Sequence, residues 1–339
     1  MGMYIRASAL EGLDDIAQKH GQEITPLLDK YGFGAGIFRA KETEVEFLHA
    51  IAFLEECAAR WDIPDLGVQR SRYFALESLG VISLAVRMET TVRAASNAII
   101  RNMFIHSNGA SVSLIEHPQS NLAEFVFDVR TEGTPCRQFR EATLCNSRIT
   151  LQCLAEHPVK LVSASVPHAA PVSRLDSLSR ELGVRVTYGA ERCAFEFDRS
   201  VLDQKINKTD VAFHPIIRRY FAEVTAEHRN NFPEAVRLEV MRQLSLGVVS
   251  QDKVAASLQM QPRSLQRRLK QFGVSFREIL DTERRRKSLS LVQQTNLPFA
   301  ELALAVGYSD QTAFNQAFRR WFGRSPLKVR KGQGLIAAA

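Results

Sequence analysis

The sequence predicts an α+β N-terminal domain joined to an all-α C-terminal domain, the latter two helix-turn-helix units linked by a long helix. Three observations carry this. The first 199 residues mix apolar repeats at helical spacing with alternating runs. From residue 233 onward every segment fits a short helix bounded by Gly, Pro or Ser. A pattern within that second part occurs twice, at a constant offset of 49 residues.

In chain order, 45–61 (VEFLHAIAFLEECAARW) and 90–106 (TTVRAASNAIIRNMFIH) repeat apolar groups at helical spacing. Residues 110–116, 122–130, 159–166 and 193–198 read as strands, and 122–130 (LAEFVFDVR) alternates. A long helix over 137–157 separates the second strand from the third. Residues 200–232 lack a strand pattern and read as a linker with one helix after Pro215, ending where Pro233 opens the next helix at its first turn. The expected domains are therefore 1–199, a linker over 200–232, a helical domain over 233–332 and a disordered tail over 333–339.

The repeated unit is clearest at 305–326, AVGYSDQTAFNQAFRRWFGRSP. Phe299, Leu302, Ala303 and Val306 lie at i, i+3, i+4 and i+7, so one helix buries that face. Gly307 is the stop, because Gly adopts the left-handed backbone there at little cost. Ser309 is the expected cap of the second helix, with Asp310 favoured by the helix dipole. In that helix Ala313, Phe314, Ala317, Phe318, Trp321 and Phe322 form the apolar stripe, and Thr312, Asn315, Gln316 and Arg319 the exposed one. The earlier copy buries Val254, Ala255 and Leu258, starts its second helix at Pro262, and packs Leu265, Leu269 and Phe272. Its exposed stripe is Arg263, Gln266, Arg267 and Lys270. Aligning Leu265 with Phe314 superposes the two stripes.

Between the copies, 276–293 (FREILDTERRRKSLSLVQ) is a helix with Phe276, Ile279, Leu280, Leu291 and Val292 on one side. At ~1.5 Å per residue it spans roughly 27 Å. With the widths of the units added, the two second helices would sit about one DNA turn, ~34 Å, apart. The run Arg284 to Lys287 fits a solvated face as well as a nucleic-acid contact.

Charge points the same way. Residues 233–339 hold 18 Lys and Arg against 8 Asp and Glu, a balance of +10; the whole chain's +7 leaves −3 for the first 232. A mildly acidic module joined to a strongly basic one is expected to meet a polyanion through its C-terminal part alone. The start has no apolar signal core, acids come too early for a transit peptide, and the myristoylation pattern fails. The longest apolar run, 80–86, is too short to span a membrane, so the expected location is cytoplasmic.

Enzyme signatures are missing. GFGAGIF at 32–38 is not G-x-G-x-x-G, and there is no G-x-x-x-x-G-K-[ST], H-E-x-x-H or G-x-S-x-G. No cofactor motif is present, and the eight histidines and five cysteines show no metal-ligand spacing. The cysteines read as reduced, mostly buried thiols, and His168 in VPHAAP reads as turn chemistry. TPCRQ at 134–138 bears a superficial likeness to the Pro-Cys-His-Arg nucleophile of DNA alkyl-transfer repair proteins, but no His follows Cys136 and their four-cysteine zinc pattern is missing. An architectural DNA binder without an effector is the other alternative; a large acidic N-terminal domain argues against it.

Over 233–332 the chain resembles the AraC/XylS family of bacterial transcription regulators. The resemblance rests on VAASLQMQPRSLQRRLKQFGVSF, the basic linking helix, and FAELALAVGYSDQTAFNQAFRRWFGRSP. YFALESLGVISLAVRM (73–88) and VPHAAP (166–171) are similar to the arabinose-binding-type N-terminal domain of one branch of that family. The resemblance implies a small-molecule sensor that dimerises, followed by a domain that binds promoter DNA, contacts RNA polymerase and activates transcription. It carries base reading to Arg263, Gln266 and Arg267 in the first unit and to Gln311, Thr312, Asn315 and Gln316 in the second. An Arg is common in the family where Gln316 stands, so the second unit has less charge to anchor it. The chemistry agrees: Arg pairs bidentately with guanine O6/N7, Asn and Gln with adenine N6/N7. Lys270, Arg319, Arg320 and Arg324 suit phosphates, which position the protein without reading sequence.

Overall fold

The alternating apolar residues of 122–129 and 193–198 form the centre of a five-stranded sheet. The structure is a computed structural model, and it describes residues 3–117, 119–131, 133–171, 176–206, 217, 219–220, 232–245, 247, 249–258, 260–295 and 297–331. Most of the expected linker, including most of the helix expected after Pro215, and the tail at 333–339 lie outside the described residues. The described residues fall into two compact units.

The first unit runs β1 (Tyr4–Arg6), α1 (Leu13–Lys19), α2 (Thr25–Lys30), β2 (Glu44–Glu46), α3 (Phe47–Arg60), α4 (Leu66–Ser71), α5 (Val81–Arg87) and α6 (Val92–Asn102). It continues with β3 (Ala110–His117), β4 (Leu122–Val129), α7 (Arg137–Leu154), β5 (Leu161–Val166), α8 (Ser177–Leu182), β6 (Val186–Tyr188) and β7 (Cys193–Asp198). The large sheet has the order β3-β4-β7-β5-β6, antiparallel except for the β5–β6 pair. Phe125 lies opposite Phe195, and Ala123 opposite Phe197, so one sheet face is lined with rings. Those rings pack 5.5–5.6 Å apart between Phe125 and its neighbours Phe195 and Phe197, under α6 and α7. A second core, around Phe47, Ile51, Phe53 and Leu54 of α3, gathers α1, α2 and the small β1–β2 sheet.

Helix α4 lies directly on α7 because Gly67 has no side chain. A Cβ there would stand 2.1 Å from the backbone oxygen of Gln138, and the Gln138 side chain accepts from Gly67 N–H at 2.8 Å. The four expected strands are all present, while β1, β2 and β6, of three residues each, are too short to show a strand pattern. The helix expected over 90–106 ends at Asn102, and the next residues tighten into a 3-10 turn that delivers His106 to the interior.

The second unit is helical throughout its described residues. It comprises α9 (Phe232–Ser245), α10 (Gln251–Ser257), α11 (Pro262–Gln271), α12 (Phe276–Gln294), α13 (Phe299–Ala305), α14 (Gln311–Phe322) and α15 (Pro326–Arg330). Val236, Val240, Val254, Ala255, Leu265, Leu269 and Ile279 make one core, around α10–α11. Val292, Leu302, Ala303, Val306, Phe314 and Phe318 make another, around α13–α14. Phe272 is a correction: it is 45 % exposed, against Phe232 at 6.5 Å, because α11 stops at Gln271 and the chain turns out of register before Phe272 reaches the buried face.

Candidate nucleic-acid interface

The repeat read from the sequence is a pair of helix-turn-helix units, and in each the second helix presents its polar stripe outward. On α11, Leu265 and Leu269 are fully buried, while Arg263, Gln266, Arg267 and Lys270 are exposed. On α14, Phe314 and Phe318 are fully buried; Gln311, Thr312, Gln316 and Arg319 are exposed and Asn315 is half-buried. Trp321 and Phe322, expected in the buried stripe, and Ala313 are half-buried.

The two stripes are held differently. Helix α11 begins with Pro262 at its first turn and has no side-chain cap. Its stripe is braced from α10 instead: Gln266 Nε2 donates to Gln251 Oε1 at 3.0 Å, and Gln251 Nε2 donates to the Pro262 carbonyl at 3.3 Å. Helix α14 is capped by Asp310, whose Oδ1 accepts from Ala313 N–H at 2.8 Å. The cap expected at Ser309 is thus one residue later, and the Ser309 hydroxyl supports it by donating to the Asp310 carboxylate at 3.2 Å. Those hydrogen bonds hold the Asp310 carboxyl below its ordinary pKa.

Helix α12 ties both units together through side chains that composition alone could not assign. Arg284 Nε donates to the Val306 carbonyl at 3.2 Å and Nη2 donates to the Gly307 carbonyl, so it closes the turn of the second unit. Its guanidinium also stacks over Tyr308, 4.6 Å from the ring centroid. Lys287 Nζ donates to the Leu244 carbonyl at 2.9 Å, near the end of α9. Arg286 forks onto the buried Glu283 at 2.9 and 2.8 Å. Asp281 accepts from Arg320 Nη2 at 2.7 Å and from Trp321 Nε1 at 2.8 Å, fastening α14 to α12. Arg284, Arg286 and Lys287 of the basic run therefore hold the domain together.

Of the four side chains read as phosphate contacts, Lys270 and Arg319 stand exposed on the stripes themselves. Arg320 is exposed but drawn back to Asp281, and Arg324 is half-buried with an interaction of its own. Gln251, Asp281 and Arg284 carry positioning roles that no local pattern announces, since their partners lie 15 to 40 residues away.

Elsewhere the chemistry is structural. Cys136 is buried at the start of α7, and burial pushes its thiol up to about 11, the reverse of an activated nucleophile. His168, read as turn chemistry, instead hydrogen-bonds the buried Glu141 through Nε2 at 3.1 Å. Four of the five cysteines are buried and Cys153 is exposed. Among the described residues no helix is long and apolar enough to cross a membrane.

Comparison with known proteins supplies two family matches. The family described as "Arabinose-binding domain of AraC transcription regulator, N-term" matches residues 21–206, and that described as "Helix-turn-helix domain" matches 254–332. The chain is 28% identical over 337 residues to the HTH-type transcriptional regulator VirS of Mycobacterium tuberculosis, covering 99% of this chain and 98% of that one. It is 36% identical over 80 residues to the Ornithine utilization regulator of Pseudomonas aeruginosa, 24% of each chain. Among solved structures, the transcriptional regulator CdpR from Pseudomonas aeruginosa is similar at 20% identity, with 91% of this chain and 96% of that one covered and a TM-score of 0.43.

Proposed function

Since the chain belongs to the AraC family of transcription regulators, DNA-binding proteins rather than enzymes, we propose that it reads two successive major grooves and responds to a small-molecule effector. One observation carries the reading. Two exposed polar stripes, on α11 and α14, stand in register at an offset of 49 residues, each backed by its own core, with Ile279 of α12 in the first and Val292 of α12 in the second. Helix α12 has 19 residues, about 28 Å at ~1.5 Å each, which suits second helices set one DNA turn apart.

In this reading Arg263, Gln266 and Arg267 contact base edges in one groove, and Gln311, Thr312, Asn315 and Gln316 in the next. The first half-site contains G and the second is richer in A. Lys270, Arg319, Arg320 and Arg324 are assigned to phosphates, with Arg320 having to leave Asp281 to serve. The N-terminal unit senses a metabolite and dimerises, the effector shifts the population of DNA-competent molecules, and the bound protein contacts RNA polymerase as an activator.

The test is a pair of substitutions on two DNAs. Arg267→Ala is expected to weaken cognate binding by ~1–3 kcal/mol and to flatten the difference between cognate and scrambled DNA. Arg320→Ala is expected to weaken both DNAs alike, and by less. Equal losses from Arg267→Ala on both DNAs would remove the base-reading role.

A further inference from the structure

A cavity of about 130 Å³ in the N-terminal unit lies between the β3–β4 face of the sheet and helices α6 and α7. Much of its wall is apolar, with Ile99, Ile100, Met103, Phe125, Phe127 and Leu151 along it. Against this background stands Arg70, carried in on α4 one turn after Gly67.

Arg70 is 4 % exposed, and its Nε is shut off from solvent with no hydrogen-bond partner among the described residues. Its Nη2 lies 3.1 Å from the Asn146 side-chain oxygen, in the amide orientation that also lets Asn146 donate to the Ala142 carbonyl. Glu11, whose charge favours the guanidinium, is already engaged by Lys41 and by the Ser78 hydroxyl. Burial lowers Arg70 to about 10, so it is a cation at neutral pH. His106 also lines the cavity, and its Nδ1 is closed off without a partner. Burial, reinforced by the charges of Arg6 and Arg70, depresses that imidazole to about 3 and keeps it neutral. In its Nδ1–H tautomer the neutral ring can donate from that unpartnered nitrogen to an anion. The hydroxyls of Ser107 and Thr143 are occupied by backbone carbonyls, while those of Ser8 and Ser111 are buried and unpartnered.

A buried cation with no carboxylate hydrogen-bonded to it among the described residues, in a largely apolar cavity, calls for an anion that brings hydrocarbon with it. We propose that this cavity binds a monocarboxylate bearing an apolar chain or ring, its carboxylate paired with Arg70 beside His106 and its hydrocarbon along Ile99, Phe125 and Phe127. A sugar suits the same walls poorly, because it would leave hydroxyls unpaired against those side chains. The inference rests on the reading of this unit as an effector sensor and names the effector's class.

The test is calorimetric titration of the full-length protein with octanoate, octanol and arabinose. Octanoate is expected to bind at least about tenfold more tightly than octanol, and arabinose to give no binding heat. Arg70→Met, which keeps volume and removes charge, is expected to cost octanoate about tenfold or more and leave octanol unchanged. Should that variant fail to fold, Ser147→Phe fills the cavity from α7 without touching the charge and is expected to block octanoate equally. Equal affinity for octanoate and octanol, preference for arabinose, or octanoate binding unchanged in the folded variants would overturn the proposal. DNA affinity measured with and without octanoate separates the two layers. Octanoate bound at Arg70 without any change in DNA affinity keeps the site and overturns the sensor reading. A DNA response to another ligand that binds Arg70→Met as well as the wild type keeps the sensor reading and overturns the site.

Discussion

The two helix-turn-helix units share a plan but divide charge and hydrophobicity oppositely. The first packs aliphatic Leu265 and Leu269 beneath a stripe with three cations, Arg263, Arg267 and Lys270. The second packs Phe314 and Phe318, flanked by Tyr308, Trp321 and Phe322, beneath a stripe with one cation, Arg319. Phosphate attraction therefore favours the first unit, while the second is the better anchored mechanically, with an aspartate cap, a stapled turn and the Asp281 clasp. The difference teaches that duplicated folds can separate affinity from positioning. On the proposed reading the first unit holds the DNA and the second reports whether the adjoining groove is correct.

The largest way to break the comparison is Phe314→Ala. The ring is fully buried, so the change should cost ~3–5 kcal/mol of stability. Denaturant titration checks the loss, and DNA binding at permissive temperature should keep preference for the first half-site only. Next comes Gly307→Ala. The residue has φ +77° and an added Cβ would lie 3.2 Å from Arg284 Nη2, so a loss of about 1–2 kcal/mol from the left-handed backbone alone is expected. Its effect should fall on the second half-site, read by mutating each half-site in turn.

Gln316→Arg sharpens the comparison by giving the second stripe a second cation. If the new charge reaches a phosphate, the slope of log K against log salt should steepen by roughly 0.9, measured by binding across a salt series. Smallest is Asp310→Ala, which should abolish protection of the Ala313 amide in hydrogen exchange while the fold persists. Because the Asp310 carboxyl is lowered in the folded state, the cap is fully present above the ordinary aspartate range and is lost as pH falls through its depressed value. The protection difference between wild type and variant should therefore vanish in acid.

Much of this was legible beforehand, for identifiable reasons. Strands such as Leu122–Val129 announce themselves by alternation, and the stripe of α14 by a period that keeps Phe314 and Phe318 on one side and Thr312 and Arg319 on the other. What local pattern could not show depends on partners distant in sequence. The Arg284–Lys287 run fitted surface and contact equally well until Val306, Gly307 and Leu244 supplied the acceptors. Phe272 carried the right period but lies one residue past the helix end, where the period no longer applies. The cavity was invisible because Ser8, Arg70, His106 and Asn146 come from four separate segments, each unremarkable alone.

The most direct test of the two-groove account is selection of bound sequences by the full-length protein from random duplex DNA, repeated with Arg267→Ala. The account predicts two preferred blocks about 10 base pairs apart centre to centre, one G-containing and one A-richer, with Arg267→Ala erasing a G preference in the first alone. A single preferred block, or two blocks unchanged by Arg267→Ala, would contradict it.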